Sequence, residues 1–186
     1  MKRTVAMVLF LLLLTGCSAK DNSMEQALTL REQLLHGNGC EFDAAITADY
    51  VDAIYTFVLH CHADRSGALN FQVTSPESIS GIRGSVSQAG GNLTFDDQVL
   101  AFEMLADGMV TPVSAPWLMM HALRSGYIRA CGEDTDGSTI QIDDSYKDGA
   151  LQIDVKLNSS GSLSRAEIYY KGRRILSVDV SNFTIL

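Results

Sequence analysis

The chain is poor in proline, with three in 186 residues. Its apolar residues are well distributed, and together these facts argue against long disordered segments. It is also poor in base, with 14 Lys and Arg against 22 Asp and Glu and a formal charge of −8. Such a surface does not attract nucleic acid or anionic headgroups, so no nucleic-acid partner is expected. There is one Trp. Internal repeats and low-complexity stretches are absent. No nucleophile-elbow pattern and no phosphate-binding glycine loop occurs. No enzyme activity, catalytic residue or cofactor is therefore expected. Long apolar runs are missing too, apart from one at residues 5–14. A helix needs about 20 such residues to cross a bilayer, so this run is too short to span one.

That run follows Lys2-Arg3 and ends in Leu14-Thr15-Gly16-Cys17, after which the chain turns polar. A basic start, a short apolar core and small residues at the cut make a secretory signal. The last four residues resemble a bacterial lipobox. The resemblance implies cleavage before Cys17 and a lipid on its sulfur and new amino end. Each buried CH₂ of such a lipid contributes on the order of 0.8 kcal/mol, and two or more chains give a stable anchor. The expected organisation is a signal peptide at 1–16, a lipidated tether at 17–23 and one domain at 24–186. Removing 16 residues from 186 leaves 170, which suits a single domain. The signal takes Lys2 and Arg3 and no acid, leaving 12 basic and 22 acidic residues, a formal −10. Any contact with lipid beyond the anchor is therefore expected to be apolar. The expected location is the extracytoplasmic face of a cell membrane, or an outer membrane where one exists.

Of four cysteines, Cys40, Cys61 and Cys131 remain. Three is odd, so at least one is free or pairs between molecules. Small buried apolar residues are the plainer reading.

Residues 24–36 carry Ala27, Leu28, Leu30, Leu34 and Leu35 at helical spacing. Ser23 is placed to cap that helix, and Gly37 and Gly39 to end it through left-handed backbone. The period then becomes two. Phe42, Ala44, Ile46 and Ala48 alternate with polar residues, as do Phe57, Leu59 and Cys61, and then Leu69, Phe71 and Val73. Short turns join these runs, which predicts an antiparallel meander with one buried face. A hairpin follows at 82–88 and 92–95. Residues 96–110 fit neither period. Residues 117–124 are apolar nearly all round and predict a short helix that is buried or covers something apolar. Strands return at 127–133, 138–143, 151–158, 165–171 and 174–183, for about ten in all.

Three groups invite a chemical reading. His60 and His62 share one strand face, as a metal pair needs, but Cys61 points the other way. A third ligand would have to come from elsewhere, so an exposed strand face without metal is expected. Asp96-Asp97, Asp134 with Asp136, and Asp143-Asp144 are acidic, but none has a full calcium-loop pattern. Met119 and Met120 suit a variable apolar ligand because thioethers adapt their shape.

The order of elements resembles the LolA/LolB-type superfamily of lipoprotein carriers and receptors. Segments 74–82, 92–95 with Leu100, 165–168, 174–176 and Asn182-Phe183 carry the likeness. There is also some resemblance to small germination lipoproteins of spore-forming bacteria. The resemblance implies an α+β fold. Its curved antiparallel sheet forms an unclosed half-barrel, with an N-terminal helix and a mid-chain apolar helix on the concave side. Two functions follow as expectations. In one, the half-barrel is plugged by its own helices and docks an envelope protein. In the other, it holds an acyl chain, lipoprotein or other apolar ligand against Phe57, Leu59, Leu69, Phe71, Trp117, Met120, Ile153 and Val155.

Overall fold

The computed structural model describes residues 22–88, 90–94 and 105–186. The signal, Cys17, Asp96-Asp97 and most of the ambiguous 96–110 stretch lie outside these. Helix α1 is Ser23–His36. Ten strands follow it: β1 Gly39–Asp49, β2 Ile54–Asp64, β3 Leu69–Ser75, β4 Arg83–Ser87, β5 Gly90–Thr94, β6 Tyr127–Asp134, β7 Gly137–Asp143, β8 Gln152–Asn158, β9 Leu163–Tyr170 and β10 Arg173–Ile185. Helix α2, Ala115–Ser125, stands between β5 and β6 in the chain. Among the described residues no helix is long and apolar enough to cross a membrane.

All ten strands join one antiparallel sheet in the order β5-β4-β3-β2-β1-β10-β9-β8-β7-β6. The chain builds one wing as a meander from β1 outward to β5. It then crosses through α2 and returns as a second meander from β6 inward to β10. β1 and β10 close the middle of the sheet, with Cys40 opposite Ile185 and Ala48 opposite Leu176. Among the described residues, β5 and β6 are the edges. This is the unclosed α+β half-barrel that the resemblance implies, built from the meanders that the alternating pattern predicts.

The period of two sends alternate side chains to one face. In β1, Phe42, Ala44, Ile46 and Ala48 are buried while Glu41 and Ala45 are exposed. The same alternation in β2, β3, β7, β8 and β9 extends the apolar face across the sheet. Both helices pack on that face and complete a single core.

Two local expectations are corrected. Asn22, not Ser23, is the N-cap of α1, and no side chain caps the helix. Ser23 is instead the first helical residue and is buried. Gly37 ends α1 in extended backbone, with φ −65°. Its requirement is space, not a left-handed turn. A Cβ there would meet the Gln33 carbonyl oxygen and Ile185 Cγ2, each at 2.9 Å.

Candidate functional site: the inner face and its two helices

The eight candidate lining residues come from both wings. β2 supplies Phe57 and Leu59, β3 supplies Leu69 and Phe71, and β8 supplies Ile153 and Val155. β1, β10 and β9 separate the two groups within the sheet. Helix α2 bridges them, because it packs against β2, β7, β8 and β10. It brings Met120 and Trp117. All eight therefore belong to one apolar assembly, with Trp117 packed against the core from its margin. The seven others are buried, and Leu59 and Val155 have 0% accessible surface. No water-sized void touches either of those two. Met119, on the same helix, is equally inaccessible.

Polar bonds fix α2 over this face from two sides. From α1, Arg31 Nε donates to the Leu123 carbonyl oxygen at 2.6 Å, and Nη2 donates to Gly126 O at 2.9 Å and Ala122 O at 3.3 Å. The last carbonyls of a helix have no partner within it, and they carry the negative end of its dipole. A guanidinium with its fork of donors answers both needs. Burial lowers the Arg31 pKa from its usual value, and its charge persists at any physiological pH. From the sheet, the β2–β3 turn receives Arg124 and Trp117. Arg124 donates to the Asp64 and Arg65 carbonyls at 3.1 and 2.5 Å, and Trp117 Nε1 donates to Gly67 O at 3.0 Å. His121 stacks on Trp117 with ring centroids 4.9 Å apart. At the end of α2 a Cβ on Gly126 would run into Ile142 and lie 2.7 Å from the Ala122 carbonyl oxygen. Only glycine lets the helix end so close to β7.

Three clefts among the described residues open at the surface. One of about 380 Å³ lies beside α2, lined by Leu35, Gly67, Ala68, Trp117, His121 and Arg124 among others. One of about 560 Å³ lies between α1 and the β8–β9 turn, under Gln26, Gln33 and Ser160. A third, of about 410 Å³, lies among Arg129, Tyr146, Lys147, Tyr169 and Lys171. Of the eight candidates, Trp117 alone lines any of these three.

The remaining candidate groups are separate. Asp134 Oδ1 accepts from its own turn, at Asp136 N, 2.8 Å. Asp143 pairs with Arg129 at 3.5 Å, and Asp144 Oδ1 accepts from Leu151 N at 2.8 Å. Among the described residues, no three His, Cys, Asp or Glu side chains gather where a metal could bind. Cys40 and Cys61 face the core and Cys131 is half-buried, with its Sγ 3.9 Å from Met24 Sδ. Burial pushes Cys40 up to about 11 and raises Cys61 further. On the outer face of β9, burial and the neighbouring Glu167 push Tyr169 up to about 12. Its hydroxyl donates to that carboxylate at 2.7 Å.

Sequence reading missed Arg31 and Arg124. Arg31 reads as one more polar residue on an amphipathic helix. Its partners lie over 90 positions away, and no local pattern announces them.

No family model and no curated protein matches this chain. Solved structures do resemble it in fold. An uncharacterized conserved protein from Thermus thermophilus superposes with a TM-score of 0.46 at 9% identity, covering 88% of each chain. A LolA superfamily protein from Nitrosomonas europaea gives 0.45 at 9% identity, covering 88% of this chain and 93% of that one. MucB, seen with MucA from Pseudomonas aeruginosa, gives 0.41 at 6% identity, covering 88% of this chain and 57% of that one.

Proposed function

We propose that this chain is an envelope lipoprotein, anchored through lipid on Cys17 at the extracytoplasmic face of a membrane. It acts as a non-enzymatic protein-interaction module. Its concave side serves as a core rather than as a binding chamber, and its outer surface and edges meet an envelope partner. The observation that carries this reading is the double pinning of α2. Arg31 holds one end of the helix, Arg124 and Trp117 hold its flank, and the inner-face side chains beneath are buried. A lid that opens for a ligand is drawn from weakly held elements, and α2 is held by charge-assisted bonds to backbone. The sequence of residues 2–17 supports the anchor, and the acidic composition argues against nucleic acid.

A second reading is kept for one observation. The 380 Å³ cleft reaches Trp117 beside apolar Leu35 and Ala68. An acyl chain or other apolar ligand entering the half-barrel would start there.

Two measurements test the pair. A clickable fatty-acid probe should label the wild type and fail on Cys17→Ser, which should also leave the membrane fraction. Unlabelled wild type, or a Cys17→Ser variant still retained on membranes, would refute the anchor. Photo-crosslinkers spread over the outer face, in the anchored protein in cells, should give discrete adducts with an envelope protein. Lipid adducts from positions 117 and 120 instead would favour the second reading.

A further inference from the structure

We propose that His60 and His62 form a two-imidazole site for a divalent transition-metal ion, copper(II) above nickel(II) or zinc(II). The strand pleat puts both on the outer face of β2, about 7 Å apart along the strand. Cys61 between them points into the core. What sequence alone does not reveal is what stands opposite. The β1–β2 register sets Asp43 against His60 and Glu41 against His62. His60 Nδ1 lies 2.8 Å from Asp43 Oδ1, and His62 Nδ1 lies 3.1 Å from Glu41 Oε1. A carboxylate only accepts, so each Nδ1 carries the proton. In the neutral ring each Nε2 then keeps the lone pair. This is the tautomer and orientation in which histidines bind metals, with a carboxylate behind the ring raising its basicity.

The arrangement extends one layer further back. Between Glu41 and Asp43 the β1–β10 register shifts. There Asn182 takes φ +54°. Bulges of this kind re-aim a side chain, and Asn182 Nδ2 donates to Asp43 Oδ2 at 2.7 Å. Asp43 is thus held from both sides, by His60 and by Asn182. Both imidazoles are open to solvent, with side-chain exposures of 55% and 42%. Across β3 the same face offers neutral Gln72 opposite His60 and Asn70 opposite His62. The two carboxylates therefore give the site a cation-attracting potential. With two protein ligands, the remaining positions on the metal are filled by water. Imidazole suits copper, nickel and zinc, and copper(II) binds tightest of the series.

The test uses full-length protein in detergent micelles, stripped with EDTA and titrated with copper(II) chloride. Stoichiometry comes from calorimetry, and nitrogen ligation from electron paramagnetic resonance. One ion per chain with imidazole nitrogen coupling is expected. His60→Gln and His62→Gln should each weaken binding at least about tenfold. Asp43→Asn should weaken it by roughly 10- to 100-fold, as loss of an orienting partner does. His36→Gln with His121→Gln should leave it unchanged. All five positions are at least partly exposed, and matching thermal melts establish that the variants are folded. Absence of saturable binding, or equal binding by the His60→Gln/His62→Gln double variant, would overturn the site. An Asp43→Asn variant that binds as the wild type would overturn the positioning role of the carboxylate.

Discussion

Arg31 on the first helix donates from Nε to the Leu123 carbonyl oxygen on the second, at 2.6 Å. One side chain thereby ties together the two elements that fill the half-barrel. It also satisfies carbonyls at the partly buried end of the second helix. Removing it leaves the Leu123 and Gly126 oxygens to find another donor, while Ala122 O keeps its bond from Gly126 N at 2.8 Å. Hydrogen bonds to charged groups are worth about 1.5–3 kcal/mol. Arg31→Met should destabilise the domain by about 2 kcal/mol, read as a lower urea midpoint with an unchanged slope.

The inner face should respond to size in both directions. Leu59→Ala and Ile153→Ala should cost about 2–5 kcal/mol each, since they remove packed methylenes and leave a void. Met120→Trp should also destabilise, by about 1–3 kcal/mol, because a filled face has no room for the larger ring. An unoccupied chamber would accept the Trp at no cost. Denaturant unfolding of these variants decides between the two.

Cys40, Cys61 and Cys131 should react in order of access. The thiolate is the nucleophile, and burial holds Cys40 at about 11 and Cys61 higher still. Half-buried Cys131 should take a maleimide first at pH 8. Cys40 and Cys61 should label only as the protein unfolds. Mass mapping of the labelled peptides over time checks the order.

Acid should reach the outer face through Asp43. Its folded pKa is depressed by Asn182 and by His60, whereas an unfolded Asp titrates near 3.9. The contribution to stability is therefore fully present above about pH 4. It is lost as pH falls through the depressed value. Asn182→Ala should shrink this acid-side loss. Stability measured from pH 6 down to 2, wild type against variant, should converge at the acid end.

Much of this fold was legible because the strands obey a period of two over long stretches. The Phe42-to-Ala48 and Leu151-to-Leu157 alternations fix both strand and buried face. The second helix was legible as an apolar run, and its pinning was not. Arg31 and Leu123 are 92 residues apart, and nothing in either neighbourhood encodes the other. The β10 bulge was hidden for a related reason. Asn182 reads as an ordinary residue of a closing strand until the pairing with β1 reveals the shift. His60 and His62 were visible as a pair, but the carboxylates behind them come from the register of a neighbouring strand. Gly37 is legible as a helix stop but its cause is not, since the crowding that demands glycine comes from the Gln33 carbonyl and from Ile185, which is remote in sequence.

Native mass spectrometry of residues 22–186, purified from cells without detergent, tests the filled half-barrel most directly. The predicted result is the bare chain mass, unchanged by organic extraction. An added mass that extracts as a lipid, and that disappears in Met120→Trp, would contradict it.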